Sequence, residues 1–595
     1  MNHPERQLNN AQHHLQPGQQ LAIHTLVETL YATAQSSVPG AHQRNEITTT
    51  TVQALQELWE FTVASNRIEP LIASHLALVG VGSLGRGDMG SRSDLDLLLV
   101  HDGKGPIAAA AQQLATSLWY PIWDAGLQLD HSVRSLPQCR SVASSDVPAA
   151  VGLLSVRPIA GEASLAFRTS SAVLADWRAA ARRRLPDLVH SATQRATRHG
   201  DLAYCLEPDL KECRGGLRDA VLLDALAASW ITDRPHGEVD LATSMLLDAR
   251  DAVHRVTKRH TNQILLQDLD EVAELCGEPD SEQFLARLAD ASRTISYALD
   301  TTIRRAKSSL ALPQGRAKTL VIRGRRSAPR LRAVADGIVE HNNELVLSAD
   351  SRTRNDPVLS LRMAATSVRT SIPISPSALP SLAKVPPLPT PWPKSARDAF
   401  LHFIGSGPAQ IPVWEALDLG GIVTQWIPQW QQVRNRPQRS AIHKHTVDRH
   451  LIEVVSRVRP WRKELTDSSP LYLGALFHDI GKQPGVHNHS EYGALLVPDI
   501  LAPMGFSPAV QHDVALLVKH HLLLSDLAVK SDPESDESVE RLVDSLEGNR
   551  DLLIALRAIT EADCSSLATN KWTSWRASQV DALYLRTRSK MRRRT

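Results

Sequence analysis

Residues 80–100 read GVGSLGRGDMGSRSDLDLLLV, a stretch that opens as a glycine-rich turn and ends as an apolar run. Asp94 and Asp96 stand where the run begins. Because they are two residues apart, a strand would project both carboxylates from the same face. Unpaired charge at the mouth of a buried strand is costly. The stretch therefore predicts a binding partner for these two carboxylates.

The turn itself suits phosphate, because glycine lets the backbone approach a ligand closely and aim its N–H groups at oxygen atoms. Gly82 and Gly85 supply such a turn, and Ser83 adds a hydroxyl. The spacing matches neither a Walker A loop nor a Rossmann fingerprint, so the turn by itself is structural as often as it is functional.

The paired aspartates favour the functional interpretation. Two neighbouring carboxylates repel each other unless a cation lies between them, and hard oxygen ligands suit Mg²⁺ with substrate phosphates. We therefore predict a Mg²⁺ and triphosphate site. The alternative is that both aspartates begin a strand and face water.

The surrounding sequence favours a small α/β domain. Short apolar runs at 76–83, 94–100 and 125–136 predict strands, and the pattern at 107–125 predicts a helix that ends before Pro121. Strands that alternate with helices are typical of α/β architecture.

Composition limits the possible functions. The chain has 595 residues, which is too many for one hydrophobic core. Its net charge of +2 argues against general electrostatic binding of nucleic acid. The five cysteines are scattered, as expected in a reducing cytoplasm. No apolar run approaches the ~20 residues that span a bilayer, so we expect neither a membrane nor a nucleic acid as partner.

A second set of polar residues recurs on helical segments towards the C-terminal end. The set comprises His450, the adjacent pair His478 and Asp479, and the distant Asp563. Imidazole and carboxylate together suit Zn, Fe or Mn, and such ions generate hydroxide near neutral pH for attack on a phosphodiester.

The first motif resembles the signature of the nucleotidyltransferase superfamily that includes polymerase β. The resemblance implies that Gly82 and Ser83 lie at the triphosphate and that Asp94 and Asp96 bind metal. It also implies a third carboxylate on a later strand, for which Asp130 is the candidate. Arg86 is a candidate for a phosphate contact, and a salt bridge is the alternative.

The second set resembles the ligands of the HD phosphohydrolase superfamily. The resemblance implies a divalent metal of unstated identity at His450, His478, Asp479 and Asp563. His489 and either His520 or His521 are candidates for a second metal position, and we take His521.

The order of the two motifs resembles the family of bifunctional enzymes that uridylylate and deuridylylate the PII nitrogen-signalling protein. YCLEPDLKECRGGLRDAVLL at 204–223 and VHRVTKRHTNQILL at 253–266 strengthen the match. The resemblance implies that a PII tyrosine receives UMP from UTP at the first site. The HD site then hydrolyses the bond and releases UMP.

The resemblance also assigns residues. The implied catalytic set is Asp94, Asp96, Asp130, His478 and Asp479. The implied nucleotide-binding set is Gly82, Ser83, Gly85, Arg86, Lys211 and Arg218, while Glu207 and Asp219 are candidates for organising the substrate.

Three alternatives remain open at this point. The donor can be ATP instead of UTP, because nothing in residues 80–136 selects the base. The acceptor can be an RNA end. A protein that retains the fold without catalysis is the third alternative. The family carries glutamine-sensing ACT domains after the hydrolase, and we expect this chain to lack them.

The predicted fold class is therefore a multidomain α+β protein, with a small α/β nucleotidyltransferase domain, an all-helical domain and an all-helical HD domain. We expect a disordered tail and leading helix at 1–45, the nucleotidyltransferase domain at 46–165, a helical substrate-binding domain at 166–310, a poorly defined region with a Pro-rich connector at 311–435, the HD domain at 436–570 and a C-terminal tail at 571–595.

Overall fold

The computed structural model describes residues 17–36, 38–311, 321–322, 325–326, 331–349, 355–438, 440, 442–532, 535–567 and 571–594. Residues 1–16 of the expected N-terminal tail lie outside this described part. The chain divides into two compact units. The first comprises Met1–His199, Asp209–Ser281 and Ala298–Leu310, and the second comprises Gly200–Pro208, Glu282–Tyr297 and Ala311–Thr595.

The first unit contains a mixed sheet of four strands in the order β3-β2-β1-β4. The strands are β1 (Leu76–Gly80), β2 (Leu95–His101), β3 (Leu129–Ser135) and β4 (Arg157–Gly161). β1 pairs antiparallel with β2 and β4, whereas β2 and β3 run parallel. In the parallel pair Asp96 lies opposite Asp130, so the register places these two carboxylates side by side.

Helices pack on both faces of this sheet. The helices up to this point in the chain are α1 (Pro17–Ser36), α2 (Ala41–Ser65), α3 (Pro70–Ala73), α4 (Gly82–Arg86), α5 (Pro106–Asp124), α6 (Leu136–Ser145), α7 (Val147–Gly152), α8 (Ala163–His199), α9 (Leu217–Ala228), α10 (Glu238–Thr257) and α11 (Leu269–Leu275), followed by α12 (Ser281–Ala311).

The two faces of the sheet bury alternate residues. Leu97 and Leu99 pack into the core formed with α1, α2 and α5, while Leu98 and Val100 pack into the core that includes Trp177 of α8. Because both faces are covered, β2 needs apolar side chains at successive positions rather than an alternating pattern. This explains the continuous run that follows Asp96.

Two local features differ from the sequence expectations. α5 does not end before Pro121 but continues to Asp124. Proline removes one helical hydrogen bond, and burial of the apolar side chains Pro121 and Ile122 in the last turn offsets that loss. β4 was not expected because it is short and contains Pro158, a residue that sheets tolerate on an edge strand such as this one.

The second unit is mainly helical. Its strands are β5 (Val321–Ile322), β6 (Arg325–Arg326), β7 (Arg332–Ala335), β8 (Ile338–His341) and β9 (Glu344–Leu347). Its helices are α13 (Leu359–Thr370), α14 (Leu379–Leu382), α15 (Lys394–Ile404), α16 (Gln410–Leu419), α17 (Val423–Trp426), α18 (Val447–Arg457), α19 (Ser469–Phe477), α20 (His489–Leu501), α21 (Pro508–His520), α22 (Leu523–Lys530), α23 (Asp536–Ser545), α24 (Arg550–Ser566) and α25 (Ser574–Arg594).

Two segments of this unit pack more closely than the sequence suggests. The Pro-rich stretch at 371–400, expected as an extended connector, contributes Leu382 and Trp392 to the core of the unit. α25, which occupies the expected C-terminal tail, contributes Val580 and Leu583. Proline density excludes long helices and central strands, but it does not prevent apolar side chains from packing.

A buried arginine organises the second unit. The Arg293 guanidinium lies 2.6 Å from a Glu415 carboxylate oxygen, 2.8 Å from Asp418 and 3.4 Å from Asp448. Burial alone would lower the pKa of Arg293, but these carboxylates raise it well above its usual value. The residues come from α12, α16 and α18, so one cation joins three helices.

We expect Arg293→Ala to destabilise the second unit by about 3–5 kcal/mol, because it leaves buried carboxylates without a partner. Urea unfolding followed by the fluorescence of the buried Trp414 and Trp430 measures the effect. The control is Lys394→Ala, which removes an exposed i,i+4 ion pair with Asp398 and should cost at most about 0.5 kcal/mol. Equal unfolding midpoints for the two variants would contradict the assignment.

Candidate active sites

The glycine turn after β1 is shaped around Asp96. Gly82 begins α4 with a φ of +58°, a conformation that favours glycine. A Cβ atom added at Gly82 would lie 1.9 Å from Asp96 Oδ2. The turn and the carboxylate therefore approach as closely as they do only because residue 82 has no side chain.

Asp94 and Asp130 lie near Asp96 at this edge of the sheet. Burial raises the pKa of Asp96 from 3.8 to about 6, with further increases from the charges of Asp94 and Asp130, while Lys211 and Arg86 oppose the shift. The nearby cations therefore do not compensate the negative charge of the cluster fully. Carboxylate oxygens with excess negative charge are the donors that a Mg²⁺ ion requires, so the residues present fit that ion.

The carboxylates line a cavity of about 760 Å³ in the first unit. All but one of the implied catalytic and nucleotide-binding residues of the first site line it, namely Gly82, Ser83, Arg86, Asp94, Asp96, Asp130, Lys211 and Arg218. The exception is Gly85, which packs against backbone instead. A Cβ there would lie 2.1 Å from the Ser155 carbonyl oxygen.

The segment at 204–223 divides between the two units. Arg218 lines the cavity and pairs with Glu212 at 2.7 Å. Asp219 is buried, accepts a hydrogen bond from the Gly215 N–H at 2.7 Å and pairs with Arg195. Asp219 therefore holds the turn before α9, while Glu207 belongs to the second unit.

Sequence reasoning missed further cavity residues on and after α10. Arg250, His254 and His260 line the cavity beside the carboxylates. In the sequence the stretch VHRVTKRHTNQILL at 253–266 indicates only a family resemblance. Its concentration of basic side chains was the available signal, but the sequence alone does not place those side chains near Asp94.

The second cluster draws its residues from five helices of the second unit. His450 lies on α18, His478 and Asp479 follow α19, His489 begins α20, His521 follows α21 and Asp563 lies on α24. Within the described part of the chain these residues form two groups with converging ligand atoms, His450 with His478 and Asp563, and Asp479 with His489 and His521.

Asp479 lies between the two groups. Its Oδ2 is 3.6 Å from His450 Nε2 and 3.5 Å from His478 Nε2. Its Oδ1 is 3.4 Å from His489 Nε2 and 3.5 Å from His521 Nε2. One carboxylate thus offers an oxygen to each group, an arrangement suited to a pair of metal ions.

The hydrogen bonds behind the histidines determine which nitrogen faces the cluster. His478 Nδ1–H donates to the Ala475 carbonyl at 2.9 Å, and His521 Nδ1–H donates to the Val518 carbonyl at 2.7 Å. Ser566 Oγ donates to the Asp563 carbonyl at 2.8 Å, so it accepts from His450 Nδ1–H. The Nε2 lone pairs therefore point inward, as metal ligation requires.

Two further observations fit divalent metals. Asp479 Oδ1 is buried without a hydrogen-bond partner in the described structure, although two imidazoles face it. Burial lowers the pKa of His478 to about 4 despite the neighbouring carboxylates, so its ring is neutral at pH 7. Burial would raise the pKa of Asp479, but Lys482 and the histidines hold it well below its usual value. Neutral imidazoles and ionised carboxylates are the forms that bind metal.

The structure also separates the two histidines that the sequence left as alternatives. His521 is buried in the cluster, whereas His520 is half-buried and belongs to neither group.

Gly481 lets α20 approach the His-Asp pair, because a Cβ there would lie 2.0 Å from the His489 carbonyl oxygen. Lys482 pairs with Asp479 Oδ2 at 2.6 Å.

Comparison with known proteins matches two segments of the chain to family models. Residues 183–303 match a family model described as GlnD PII-uridylyltransferase, and residues 447–567 match the HD domain. These matches define a class of protein in which a uridylyltransferase segment precedes an HD domain. Within the described part of the chain, none of the helices is long and apolar enough to cross a membrane.

Three curated relatives, each named bifunctional uridylyltransferase/uridylyl-removing enzyme, resemble most of the chain. The Streptomyces coelicolor protein is 44% identical over 86% of this chain and 61% of its own length. The Mycobacterium tuberculosis protein is 40% identical over 87% and 64%, and the Corynebacterium glutamicum protein is 32% identical over 84% and 70%. The chain belongs to the family of bifunctional uridylyltransferase/uridylyl-removing enzymes. It spans less than two thirds of the first two relatives.

We expect Gly82→Ala to displace the Asp96 carboxylate, since the added methyl group would overlap Oδ2. The variant should lose Mg²⁺-dependent nucleotide binding by about tenfold or more while the second site keeps its metal. Titration calorimetry with UTP, together with metal analysis of the protein, measures both effects. Gly126→Ala is the control, because this glycine also has a positive φ but a Cβ there meets no atom within 4 Å. Unchanged nucleotide binding in Gly82→Ala would contradict the geometry.

The raised pKa of Asp96 predicts a pH effect in the cation-free protein. Between about pH 4 and pH 6 the folded protein holds a proton that an ordinary aspartate has released, so folding becomes less favourable as the pH rises through this window. Mg²⁺ must displace the same proton, so its affinity should fall as the pH drops below about 6.

Carbon-13 NMR of the aspartate carboxyl groups follows this titration. Asp130→Asn should lower the midpoint of Asp96 because it removes one of the charges that raise the pKa. Asp176→Asn, an exposed residue paired with Arg140, should leave the midpoint in place. An Asp96 midpoint near 4 in the unmodified protein would refute this prediction.

Proposed function

We propose that the chain transfers UMP from UTP to a tyrosine of a PII-type protein and removes it again at a separate site. The observation that carries the proposal is the presence of two distinct sets of candidate metal ligands, one in each unit. The first lies around Asp94 and Asp96, and the second lies around Asp479. Two separate sites allow the phosphodiester to be formed at one and hydrolysed at the other.

At the first site the cavity residues have separate roles. The Gly82 backbone and the Ser83 hydroxyl bind the triphosphate, and Lys211 adds positive charge. Asp94 and Asp96 hold Mg²⁺, which when bound neutralises the triphosphate and the departing pyrophosphate. Asp130 accepts the proton of the tyrosine hydroxyl while the tyrosine oxygen bonds to the α-phosphorus. The bond to the β-phosphate breaks and pyrophosphate leaves.

At the second site the residues of the cluster hold divalent metal, which when bound lowers the pKa of water so that hydroxide forms near neutral pH. In the hydrolysis, the oxygen of a water molecule bonds to the phosphorus of the uridylyl group as the bond from phosphorus to the tyrosine oxygen breaks. A proton from the water passes to the tyrosine oxygen, and UMP leaves. The buried imidazoles of His450 and His478, whose Nδ1 atoms bond to Ser566 and to the Ala475 carbonyl, would hold the metal through Nε2.

The substrates follow from family membership and from the site chemistry. A triphosphate suits the cavity because its carboxylates and basic side chains offer both a metal site and direct phosphate contacts. UTP and the PII tyrosine rest on the names of the relatives and on the motifs at 204–223. We also propose a cytoplasmic location, in keeping with the scattered cysteines.

The donor and the acceptor can be tested together. Intact mass spectrometry of a PII-type protein, after incubation with the chain, Mg²⁺ and either UTP or ATP, identifies the transferred nucleotide by its mass. We expect a uridylyl increment with UTP alone. An adenylyl increment would replace UTP by ATP as donor. A parallel incubation with labelled UTP and tRNA tests the RNA alternative, and label in tRNA without any label in PII would overturn the proposal.

We expect the two activities to separate by mutation. Asp96→Asn should lower transfer about a hundredfold or more and leave removal intact, whereas His478→Asn should do the reverse. The same mass measurement, started from unmodified or uridylylated PII, follows each reaction. Asp176→Asn and His512→Asn are controls on exposed residues of the two units. If one substitution abolished both activities in a folded protein, the two-site proposal would be wrong.

A further inference from the structure

The loop that carries Asp94 has no regular secondary structure of its own. Residues 87–94 connect α4 to β2 and contain only turns and irregular backbone. A carboxylate at the end of such a loop is not positioned by a hydrogen-bonded strand in the way that Asp96 is. Side chains from elsewhere in the first unit must therefore fix Asp94.

α10 holds the beginning of the loop. Arg250 donates from Nη2 to the Asp88 carbonyl at 2.7 Å and pairs with Asp251 at 2.8 Å. Asp251 in turn pairs with Arg44 of α2 at 2.8 Å. All of these side chains except that of Asp88 are nearly fully buried, so the attachment is rigid.

The end of the loop is held from two sides. Arg92 donates from Nη1 to the Tyr31 hydroxyl at 2.7 Å, and its guanidinium lies 3.8 Å from the centre of the Tyr31 ring. His260 contacts both the backbone and the side chain of the loop. Its Nδ1–H donates to the Arg92 carbonyl at 2.5 Å, and its Nε2 lies 3.3 Å from Asp94 Oδ1.

The path of the chain explains how His260 reaches the loop. α10 ends at Thr257, and Lys258 adopts a left-handed conformation with φ of +55°. This turn directs the chain back so that His260 lies against the loop that Arg250 also holds. Arg250 and His260 thus attach the two ends of one loop to the same helix and its C-terminal turn.

We propose that His260 is a positioning residue for Asp94. The inference rests on the proposed function, in which Asp94 holds Mg²⁺. With a hydrogen on each ring nitrogen, Nδ1–H donates to the Arg92 carbonyl and Nε2–H donates to Asp94 Oδ1, so the ring has one orientation and fixes the rotamer of the carboxylate. Hydrogen-bonding partners of this kind typically change metal affinity 10–100-fold. Direct ligation is the competing role, and it is disfavoured because Mg²⁺ prefers oxygen.

The test measures how much Mg²⁺ half-saturates binding of a non-hydrolysable UTP analogue to the full chain, so no turnover is needed. His260→Asn keeps a donor near the position of Nδ1 but is too short to reach Asp94. His260→Gln places an amide nitrogen near the position of Nε2. We expect the Asn variant to need about tenfold more Mg²⁺ and the Gln variant to stay within about threefold of the unmodified protein.

Two further variants serve as controls. His75 is another histidine of the first unit; it pairs with Asp102 at 2.6 Å and does not line the cavity. The His75→Asn variant should therefore leave the Mg²⁺ requirement unchanged. Asp94→Asn should abolish the Mg²⁺ dependence. If it does not, the proposed metal site is wrong and not merely the role of His260. Thermal unfolding checks that every variant is folded.

Repeating the titration with Mn²⁺ separates positioning from ligation. A positioning residue acts through Asp94, so His260→Asn should weaken the Mg²⁺ and Mn²⁺ responses by the same factor. A loss confined to Mn²⁺, which accepts imidazole more readily, would overturn positioning in favour of ligation. An unchanged response to both ions, with Asp94→Asn still defective, would remove His260 from the site.

Discussion

The cost of burying carboxylates without compensation shapes both units of this protein. In the second unit Arg293 lies between Glu415, Asp418 and Asp448, and the ion pairs allow three helices to meet at a charged core. Asp448 precedes His450 on α18 by two residues, so the same network fixes the helix that supplies a candidate metal ligand. At Asp94 and Asp96, by contrast, the nearby Lys211 and Arg86 compensate the negative charge only in part.

The two candidate sites compensate the charge of their carboxylates in different ways. In the second unit Asp479 pairs with Lys482 and lies among imidazoles, three of which, those of His450, His478 and His521, donate from Nδ1–H to a hydroxyl or carbonyl oxygen. The protein by itself therefore fixes the orientation of these three rings. In the first unit the carboxylates are more exposed, and burial with mutual repulsion raises the pKa of Asp96 to about 6. A site that takes its cation together with a nucleotide is consistent with this weaker organisation.

Close backbone approach is a further constraint that both sites share. Gly82 admits the Asp96 carboxylate beside the turn after β1, and Gly481 admits the start of α20 beside the His-Asp pair. At each position a methyl group would overlap a functional atom or the backbone next to one. The sheet supplies the complementary rigidity, because β2 is covered on both faces and therefore fixes Asp96 relative to Asp130.

The sequence by itself determined the local chemistry of the two sites, because that chemistry depends on residues that are close together in the chain. The aspartates two residues apart predicted neighbouring carboxylates, although Asp94 ends the loop before β2 and does not lie on the strand itself, and His478 beside Asp479 predicted a metal cluster. The tertiary structure alone decided which distant residues join them. It places His521, and not His520, in the second cluster. It also brings His260 to Asp94 through a turn after α10 and packs the Pro-rich stretch into a core. These outcomes depend on how helices pack across long separations in the chain, and no local pattern of residues encodes that geometry.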